Sequence, residues 1–447
     1  MNLTQLLALL VVTSTVLSLP AEPTARSDRP TLSSHLADGH WVHTWVNMPM
    51  QALWLPPAPY NESGRVFENA TLRQTAHLAL GGSQLRLRIS NVFGGATLPI
   101  TKVTVALPVN GSAGISAVQA DTVTAVTFSG QTSFDLPTST LLVSDPIDLT
   151  VLPQSMLTIS IYLANGQAST LVNSHQASHT TSFWAVGDYT EAEDLPITNT
   201  STQTSERWFF ISGVEVWARP RNCGFVIVGD SITDGTGSTS NGNDRWPDRL
   251  LARMQKNAET SSIAVLNQAN GGNRVLADGR GPSALSRIER DVLAQSGIRY
   301  AMIFEGVNDI GTVDTTVEAQ DAIIARLKLA YIQMAHRVHA LGIPLFGATI
   351  TPFGSPQNPT PSPHYSDVVR EQARLSLNEW IRGSSSPFDA VIDFDAFVRD
   401  PANGTQLNPL YDSGDQLHLN PSGYQVIADN FPLDLFTKFA NGVSGFE

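Results

Sequence analysis

The sequence predicts an all-β sandwich, resembling a jelly roll, followed by a three-layer α/β/α domain. Three observations predict this fold class. The chain has 447 residues, which is long for a single hydrophobic core. Apolar residues alternate with period two from about residue 40 to 218, whereas apolar strands alternate with helical segments beyond Pro220. We therefore predict a β-sandwich domain at 24–218 and an α/β domain at 222–447.

The β-sandwich prediction depends on short alternating segments separated by Gly, Pro, Asn and Asp. In SQLRLRIS, Leu85, Leu87 and Ile89 share one face of a strand, and polar residues occupy the other. The segment SMLTISIYL repeats this pattern at 155–163. We predict no helix of three turns in this half, so an antiparallel sandwich is the simplest architecture.

The second half contains five apolar strand candidates, namely FVIVG, IAVLNQ, YAMIFEG, IPLFGATI and AVIDF. Between them, apolar residues recur every three to four positions, most clearly at 317–341 and 366–381, which predicts helices there. Strands that alternate with helices form a parallel sheet covered on both faces. The long polar segment after the fourth strand, GSPQNPTPSPHYSD, is predicted to be a loop that faces the substrate.

Composition and the first residues indicate a secreted protein. The formal charge of −13 argues against nucleic acid or an anionic membrane as partner. The apolar run within 6–19 is too short for a comfortable membrane span, and we interpret residues 1–20 as a secretory signal peptide. Five N-x-S/T sequons could then carry N-glycans, at Asn61, Asn69, Asn110, Asn199 and Asn403.

The single cysteine, Cys223, excludes an intrachain disulfide. It lies beside the apolar run of the strand that opens the second half. We predict a buried, unreactive thiol, because no His or basic residue is adjacent.

A candidate nucleophile, Ser231, lies just after the apolar run Val226 to Val228, in the segment VIVGDSITDG. A purely structural interpretation is a turn in which Asp230 and Ser231 cap backbone N–H groups. However, open α/β sheets bind ligands at the carboxyl ends of their strands, and other polar residues also follow strand ends. NQANGGNR follows the second strand and EGVNDIG the third, while Asp415 and His418 are three residues apart in DQLH.

These residues would form a complete acyl-transfer site if they converge. A serine hydroxyl is a poor nucleophile, and His418 could serve as its base while Asp415 orients the imidazole and stabilises its cation. The oxyanion of the tetrahedral intermediate needs donors, which the N–H groups of Ser231 and Gly272 and the Asn308 amide could provide. Each donor contributes about 3 kcal/mol by analogy with one lost elsewhere.

The four segments GDSITDG, NQANGGNR, GVND and DQLH resemble, in order and spacing, the four blocks of the SGNH hydrolases, or GDSL-type esterases and lipases. The resemblance covers about 222–440. It implies a flavodoxin-like fold, a Ser231–His418–Asp415 triad, and an oxyanion hole that includes Gly272 and Asn308. Because Ala269 stands where the second block usually has Gly, either Gly271 or Gly272 could be the donor.

The overall layout, with a β-rich first half and the segments RWPDRL and GPSAL, is similar to secreted two-domain members of the family from bacteria and fungi. Several such relatives act on acylated plant polysaccharides. The resemblance therefore implies a serine esterase that removes acyl groups, preferably acetyl, from a carbohydrate and uses no cofactor. Alternatives are a lipase-like or aryl esterase, or a carbohydrate-binding protein with an inert hydrolase half. The candidate Ser, His, Asp and Asn are all present, which favours an active enzyme.

Other polar residues receive structural interpretations. Four carboxylates near the predicted site are more typical of turn caps than of a metal site, and we predict no metal there: Asp230, Asp234, Asp309 and Asp412. His175 and His179 lie in an irregular segment, where their spacing does not create a shared face. The Gly-rich segment 229–238 lacks the Lys of a phosphate loop, which excludes that mode of nucleotide binding.

Two further residues could line a sugar or acyl pocket. Trp246 follows the nucleophile loop, and Arg280 lies near the second block. Trp246 could equally be a packing residue at the start of a helix. We also expect the β domain to pack against the α/β domain as a fixed unit, because the connecting segment ARPRNCG is short. Its loops could then form one wall of the cleft, although a spacer role is an equal alternative.

Overall fold

The computed structural model describes residues 38–62, 64–196, 202–355 and 365–445. The predicted signal peptide and the sequon at Asn199 lie outside these residues. Of the other sequons, Asn69, Asn110 and Asn403 are exposed and Asn61 is half-buried. Their glycosylation stays a prediction.

The regular secondary structure of residues 39–218, the β-rich part, consists mainly of antiparallel strands. Single 3₁₀ turns occupy Val109–Gly111 and Ala120–Thr122. The strands are β1 (His40–Val46), β2 (Met50–Gln51), β3 (Asn61–Glu62), β4 (Arg65–His77), β5 (Leu85–Ser90), β6 (Leu98–Ile100), β7 (Lys102–Ala106), β8 (Thr124–Ala125), β9 (Phe134–Leu136), β10 (Leu141–Val143), β11 (Met156–Gln167), β12 (Asn173–His175), β13 (Ser182–Val186), β14 (Gln203–Ser205), β15 (Trp208–Phe209) and β16 (Ile211–Ala218).

The strands of the β-rich part form two main sheets. One has the order β1-β16-β5-β10, and the other has the order β14-β13-β4-β11-β7-β8 with β3 beside β4. Smaller groups are β15-β12-β2 and β6-β9. In the long pair β4 and β11, Ile161 lies opposite Leu72, and both side chains are buried. This arrangement confirms the mostly β first half.

Strands β5 and β11, which contain the two segments with alternating apolar residues, differ in how far their polar faces are buried. In β5, Leu85, Leu87 and Ile89 are buried and the two arginines between them are only partly covered. In β11, both faces are buried from Met156 to Ile161. The polar face there meets Arg73, a fully buried residue that donates to Ser160 Oγ at 3.0 Å and to three backbone carbonyls of covering loops. Burial lowers the pKa of Arg73 to about 10.

Residues 223–445, the α/β part, contain a five-stranded parallel sheet with the order β18-β17-β19-β20-β21. This is the 2-1-3-4-5 order of flavodoxin-like sheets. Its strands are β17 (Cys223–Gly229), β18 (Ile263–Asn267), β19 (Ile298–Phe304), β20 (Leu345–Ala348) and β21 (Ala390–Ile392). All five lie within or overlap the predicted strand segments. The predicted α/β fold class is therefore confirmed.

The helices of this part follow the strands, and a π-helical turn at Glu289–Leu293 extends the third of them. They are α1 (Ser231–Asp234), α2 (Trp246–Met254), α3 (Ala284–Ile288), α4 (Val307–Thr312), α5 (Val317–His339), α6 (Val368–Arg382), α7 (Phe394–Val398), α8 (Pro421–Asn430) and α9 (Asp434–Lys438).

The two long predicted helices are confirmed as α5 and α6, with small differences at their ends. The Thr316 side chain caps α5 by accepting from Ala319 N–H, and Gly342 leaves the helix at φ +68°. The α6 helix begins two residues later than predicted because Asp367 is its N-cap, with a carboxylate that accepts from the N–H groups of Val369 and Arg370.

The β-rich and α/β parts belong to one compact unit, Gly39–Glu447. Strand β16 ends at Ala218 and β17 begins at Cys223, and hydrogen bonds cross between the parts elsewhere. His43 N–H donates to the Ser296 carbonyl at 3.1 Å, and Arg88 donates to Ser296 Oγ at 2.7 Å. The parts therefore pack directly against each other, as the short connection predicts.

Cys223 is buried, as the sequence predicts. It is 3% exposed, and burial raises the pKa of its thiol to about 11. Among the described residues, every helix is too short or too polar to cross a bilayer.

Candidate active site

Ser231 is the first residue of α1, directly beyond the carboxyl end of the central strand β17. Asp230 caps this helix, because its carboxylate accepts from Ile232 N–H at 2.9 Å. The strand ends at Gly229, where a larger residue would clash, since a Cβ there would lie 2.6 Å from Thr233. Ser231 is 7% exposed, and its hydroxyl lies at the edge of a cleft.

His418 and Asp415 approach Ser231 from the turn before α8. His418 Nε2 lies 2.7 Å from Ser231 Oγ, and His418 Nδ1 lies 2.5 Å from Asp415 Oδ2. The other carboxylate oxygen, Asp415 Oδ1, accepts from the N–H groups of Leu417 and His418 at 3.0 and 2.8 Å. The structure therefore brings the three predicted triad residues together in one hydrogen-bonded chain.

The charge state of Asp415 suits a residue that orients an imidazole. Burial alone would raise the pKa of this carboxyl, but the hydrogen bond and charge of His418 and the two backbone N–H groups outweigh that effect. They hold the pKa of Asp415 well below its usual range. Asp415 is therefore ionised at neutral pH and can stabilise an imidazolium.

The segment NQANGGNR contains two glycines, and their N–H groups differ in whether they already have a hydrogen-bond partner. Gly271 N–H donates to Asp234 Oδ2 at 2.8 Å, so it is already occupied. Within the described residues, the N–H groups of Ser231 and Gly272 have no hydrogen-bond partner. Gly272 has φ +76°, a left-handed conformation that favours glycine. The arrangement thus favours Gly272 over Gly271 as an oxyanion donor.

Asn308, in α4, is 4% exposed and has a fixed amide orientation. Its Nδ2 donates to the Asn273 carbonyl at 2.8 Å, and its Oδ1 accepts from the Tyr365 hydroxyl at 2.9 Å. Because an amide nitrogen has two hydrogens, one remains for an oxyanion. The Tyr365 ring packs against Gly311, where a Cβ would lie 2.5 Å from it.

A buried polar cluster holds the segment NQANGGNR, residues 267–274, which carries Gly272, and the two residues that follow it. Asp309 accepts from the N–H groups of Val275 and Leu276 at 2.8 and 3.0 Å, and burial raises its pKa to about 6. Arg287 is 1% exposed, donates to Asn273 Oδ1 at 2.9 Å and pairs with Asp291 at 3.0 Å. The sequence does not predict this role of Arg287, because no local pattern places Arg287 next to Asn273.

The four carboxylates considered for a metal site each hold backbone N–H groups. Asp230, Asp234 and Asp309 do so as described, and Asp412 Oδ1 accepts from the N–H groups of Gly414 and Gln416 at 2.9 Å. These carboxylates therefore brace turns and loops. In the described ranges, no group of three or more His, Cys, Asp or Glu residues could hold a metal ion.

His175 connects the β-rich part to this site. It lies at the end of β12 and is 2% exposed. Its Nδ1 lies 3.0 Å from the Met48 carbonyl and its Nε2 lies 2.9 Å from Asp234 Oδ1. The same Asp234 carboxylate holds Gly271, so a residue of the first half braces the loop that carries Gly272. His179 has a different neighbour, Glu206, at 3.9 Å.

The cleft at Ser231 has a volume of about 800 Å³ and is lined by both parts of the chain. The β-rich part provides one wall, on which the Arg207 guanidinium lies 4.5 Å from the centre of the Trp54 ring. The lining residues of this wall are Met50, Leu53, Trp54, Gln176, Ala177 and Arg207. The predicted wall is therefore present. Most of the predicted substrate-facing loop, residues 356–364, lies outside the described residues, and Tyr365, which follows them, lines the cleft.

The two candidate substrate contacts have different outcomes. Arg280 lines the cleft, and its role there stays a prediction. The pocket-lining prediction for Trp246 is wrong. Trp246 is fully buried at the start of α2, where it donates to Thr233 Oγ1 at 3.2 Å and packs against Phe394 and Phe431. It is the helix-start packing residue of the alternative interpretation.

Comparison with known families identifies the second part of the chain. Residues 227–426 match the sequence model of the GDSL-like lipase/acylhydrolase family. This segment of the chain is a GDSL-like lipase/acylhydrolase domain. The match contains Ser231, Gly272, Asn308, Asp415 and His418, and the predicted resemblance is confirmed. A domain of this family makes the chain a carboxylic ester hydrolase.

Solved structures also resemble parts of the chain. A GDSL-like lipase from Bacteroides thetaiotaomicron is 18% identical, with 46% of this chain and 84% of that chain covered and a TM-score of 0.32. A variant of an acetyl xylan esterase from Geobacillus stearothermophilus is 17% identical, with 47% and 94% covered and a TM-score of 0.34. An active-site mutant of a family two carbohydrate esterase from Clostridium thermocellum is 10% identical, with 84% and 94% covered and a TM-score of 0.31.

These similarities are too weak to identify a substrate for the GDSL-like domain. No curated protein matches the chain significantly.

Proposed function

We propose that this chain is a serine esterase that removes acetyl groups from a carbohydrate through an acyl-enzyme. The observation that carries the proposal is the hydrogen-bonded chain from Ser231 Oγ through His418 to Asp415, with distances of 2.7 and 2.5 Å. In this arrangement the hydroxyl has a base within reach, and the base has an orienting carboxylate. The GDSL-like domain supports the general activity of an ester hydrolase.

The proposed reaction has two steps. His418 Nε2 accepts the Ser231 proton as Oγ attacks the ester carbonyl, and the oxyanion receives hydrogen bonds from Gly272 N–H, Ser231 N–H and Asn308 Nδ2. The intermediate collapses when the C–O bond to the alcohol breaks and the alkoxide takes the proton from His418. Water then attacks the acyl-enzyme with His418 as base, and the acid leaves as Ser231 regains its proton.

The residues around Ser231 support a small acyl group. The GDSL-like domain lines the cleft with several small or polar residues, namely Gly271, Gly272, Asn308 and Thr312. Its larger apolar contributions are Tyr365 and Leu417, and together these residues offer limited apolar surface to a long acyl chain. The opposite wall, with Trp54 and Arg207, leaves space for a bulky alcohol. A ring such as Trp54 can stack on the apolar face of a sugar. We therefore assign the alcohol side of the ester to the β-rich wall.

We also propose that the enzyme acts outside the cell. The support is the sequence of residues 1–20, which has the apolar run and small-residue end of a secretory signal. The five sequons are compatible with this location.

A substrate panel tests the proposed function. The wild-type protein and the Ser231→Ala variant would be assayed on an acetylated polysaccharide, a short aryl ester and a long-chain triglyceride. We expect wild-type protein to release acetate with the highest kcat/KM from the polysaccharide, and the variant to release almost none. Preference for the triglyceride would support a lipase-like enzyme instead, and preference for the aryl ester would support an aryl esterase. Equal activity of the variant would contradict the role of Ser231.

A further inference from the structure

The charge of the cleft is opposite to that of the protein. The chain has 40 acidic and 27 basic residues and a formal charge of −13. The described residues that line the cleft nevertheless include three arginines, Arg207, Arg274 and Arg280, and no Asp or Glu. A cleft with one sign of charge concentrates its field and attracts ligands of the opposite sign.

The three arginines surround the reactive serine from both parts of the chain. Arg207 belongs to the β-rich wall, where its Nε donates to Gln176 Oε1 at 3.2 Å. Arg280 belongs to the GDSL-like domain, and its aliphatic stem crosses Gly272 so closely that a Cβ there would lie 2.7 Å from Arg280 Cδ. Arg274 is half-buried on the same loop and donates to the Asp278 carbonyl.

The guanidinium groups of these arginines keep donors for a ligand. Within the described residues, no carboxylate lies within 4.0 Å of Arg207, Arg274 or Arg280. Their hydrogen-bond partners are a side-chain amide and a backbone carbonyl, which are neutral, and the Glu206 carboxylate interacts with Arg207 only electrostatically, beyond 4.0 Å. A guanidinium has five N–H donors in a fork that fits a carboxylate with two parallel hydrogen bonds. The chemistry of the lining therefore selects for planar anionic groups.

We propose that the cleft binds an ester whose alcohol carries carboxylates, namely an acetylated polysaccharide that contains uronic acids. This inference rests on the proposed function and narrows its substrate class. The Arg207–Trp54 pair would lie beside a sugar ring, while the arginines bind carboxylates of the same or neighbouring sugar residues. The negative net charge of the protein would otherwise repel such a polymer, so the positive lining is required for its approach.

A matched pair of substrates tests this proposal. One is an acetylated oligomer of galacturonic acid, and the other is the same oligomer with its carboxyl groups converted to neutral primary amides. We expect kcat/KM for acetate release to be at least about tenfold higher on the anionic oligomer at low salt. The preference should shrink as the salt concentration rises, because exposed charges are screened. No preference, or a preference for the amide, would overturn the proposal.

Arginine variants test which residues cause the preference. Arg207→Gln and Arg274→Gln should each lower the ratio of kcat/KM between the anionic and neutral oligomers by roughly fivefold or more. Arg326→Gln is the matched control, because Arg326 is an exposed residue of α5 that is not among the lining residues and loses the same charge. An equal fall in all three variants would indicate an effect of net charge and would overturn the proposed subsite. Unfolding midpoints would verify that each variant is folded.

A binding measurement separates this inference from the proposed function. Titration of the Ser231→Ala protein with the unacetylated galacturonic acid oligomer requires no catalysis. We expect binding that weakens at least about tenfold when Arg207 and Arg274 are both replaced by Gln. If acetate is released only from neutral esters and this oligomer fails to bind, the substrate class is wrong while the esterase remains. If the oligomer binds but no ester is cleaved, the proposed function fails and the anionic subsite stands.

Discussion

Two His–Asp pairs lie near Ser231, and they differ in what the second ring nitrogen of the histidine contacts. In the first pair, Asp415 and His418 are three residues apart and partly exposed to solvent, and His418 Nε2 reaches the Ser231 hydroxyl. In the second pair, His175 and Asp234 are 59 residues apart and buried, and His175 Nδ1 reaches the Met48 carbonyl. A hydroxyl can lose its proton to the ring, whereas a carbonyl can only accept a hydrogen bond.

This difference separates a chemical role from a supporting one. The first pair can move a proton to and from the substrate, and it lies entirely within the GDSL-like domain. The second pair links the β-rich part to the Gly271–Gly272 loop through Asp234, and it has no proton-transfer partner at the ester. Replacing a residue of the first pair, a residue of the second pair or a proposed oxyanion donor should therefore change different measured quantities.

The largest effect is expected for Ser231→Ala and His418→Ala. Each should lower kcat by at least about a thousandfold, because nucleophile and base act as a unit. The double variant should be little worse than either single variant. Steady-state kinetics on a soluble acetyl ester provide the measurement, and losses that multiply in the double variant would show that the two residues act independently.

The proposed oxyanion donor Asn308 should give the next largest effect. Asn308→Ala removes an amide that the Tyr365 hydroxyl and the Asn273 carbonyl hold in place. We expect kcat to fall by roughly a hundredfold or more with little change in KM, since the amide acts mainly as charge develops. A rise in KM at constant kcat would instead identify a contact to the bound substrate.

His175→Ala should mainly affect stability. It leaves the buried Asp234 carboxylate without its imidazole, and breaking a buried pair in this way costs about 3 kcal/mol or more in the free energy of unfolding. Through the loosened Gly271 loop, kcat should fall by roughly tenfold, less than for Asn308→Ala. Denaturant unfolding and kinetics on the folded fraction would measure the two effects.

The matched control for this variant is His77→Ala. His77 Nδ1 lies 3.3 Å from Asp248, so this pair also joins the two parts of the chain. Asp248 lies in α2, whereas Asp234 contacts Gly271. We expect a smaller loss of stability and an unchanged kcat. If His77→Ala lowered kcat as much as His175→Ala, the link through Asp234 to Gly271 would have no special role.

The smallest effect concerns stability as a function of pH. The pKa of Asp415 is lower in the folded protein than in the unfolded chain, so the ionised carboxylate stabilises the fold at a pH above its ordinary pKa of about 3.9. This contribution is lost as the pH falls towards the folded value. The difference in unfolding midpoint between wild type and Asp415→Asn that is measured at about pH 5 should thus shrink as the pH falls below about 4. A difference that grows on acidification would contradict the lowered pKa.

The sequence predicted the residues that follow strand ends, and it did so for a physical reason. Ser231, Gly272, Asn308 and the DQLH turn each lie within a short local pattern, and the parallel sheet brings those patterns to one edge. The five strand segments and the long helices α5 and α6 were predictable from the apolar pattern along the chain, whereas the flavodoxin-like arrangement was implied by the family resemblance.

The supporting contacts could not be predicted, because they join distant segments. The Arg287 cluster, the Tyr365 hydroxyl on Asn308 and the His175–Asp234 pair depend on tertiary packing rather than on spacing. For Trp246 the sequence suggested a contact that the structure does not contain. An aromatic residue near a nucleophile can pack into the core as easily as it can line a ligand pocket. Its burial between Phe394 and Phe431 is decided by residues about 150 or more positions away in the sequence.

The most direct test is covalent trapping of the proposed acyl-enzyme. The wild-type protein would be treated with a fluorophosphonate that reacts with activated serines, and the labelled peptide would be identified by mass spectrometry. We expect one label per chain, on Ser231, with loss of esterase activity in proportion to labelling, and almost no labelling in His418→Ala. Labelling of a different residue, or full esterase activity in protein whose Ser231 is completely labelled, would contradict the assignment of Ser231 as the nucleophile.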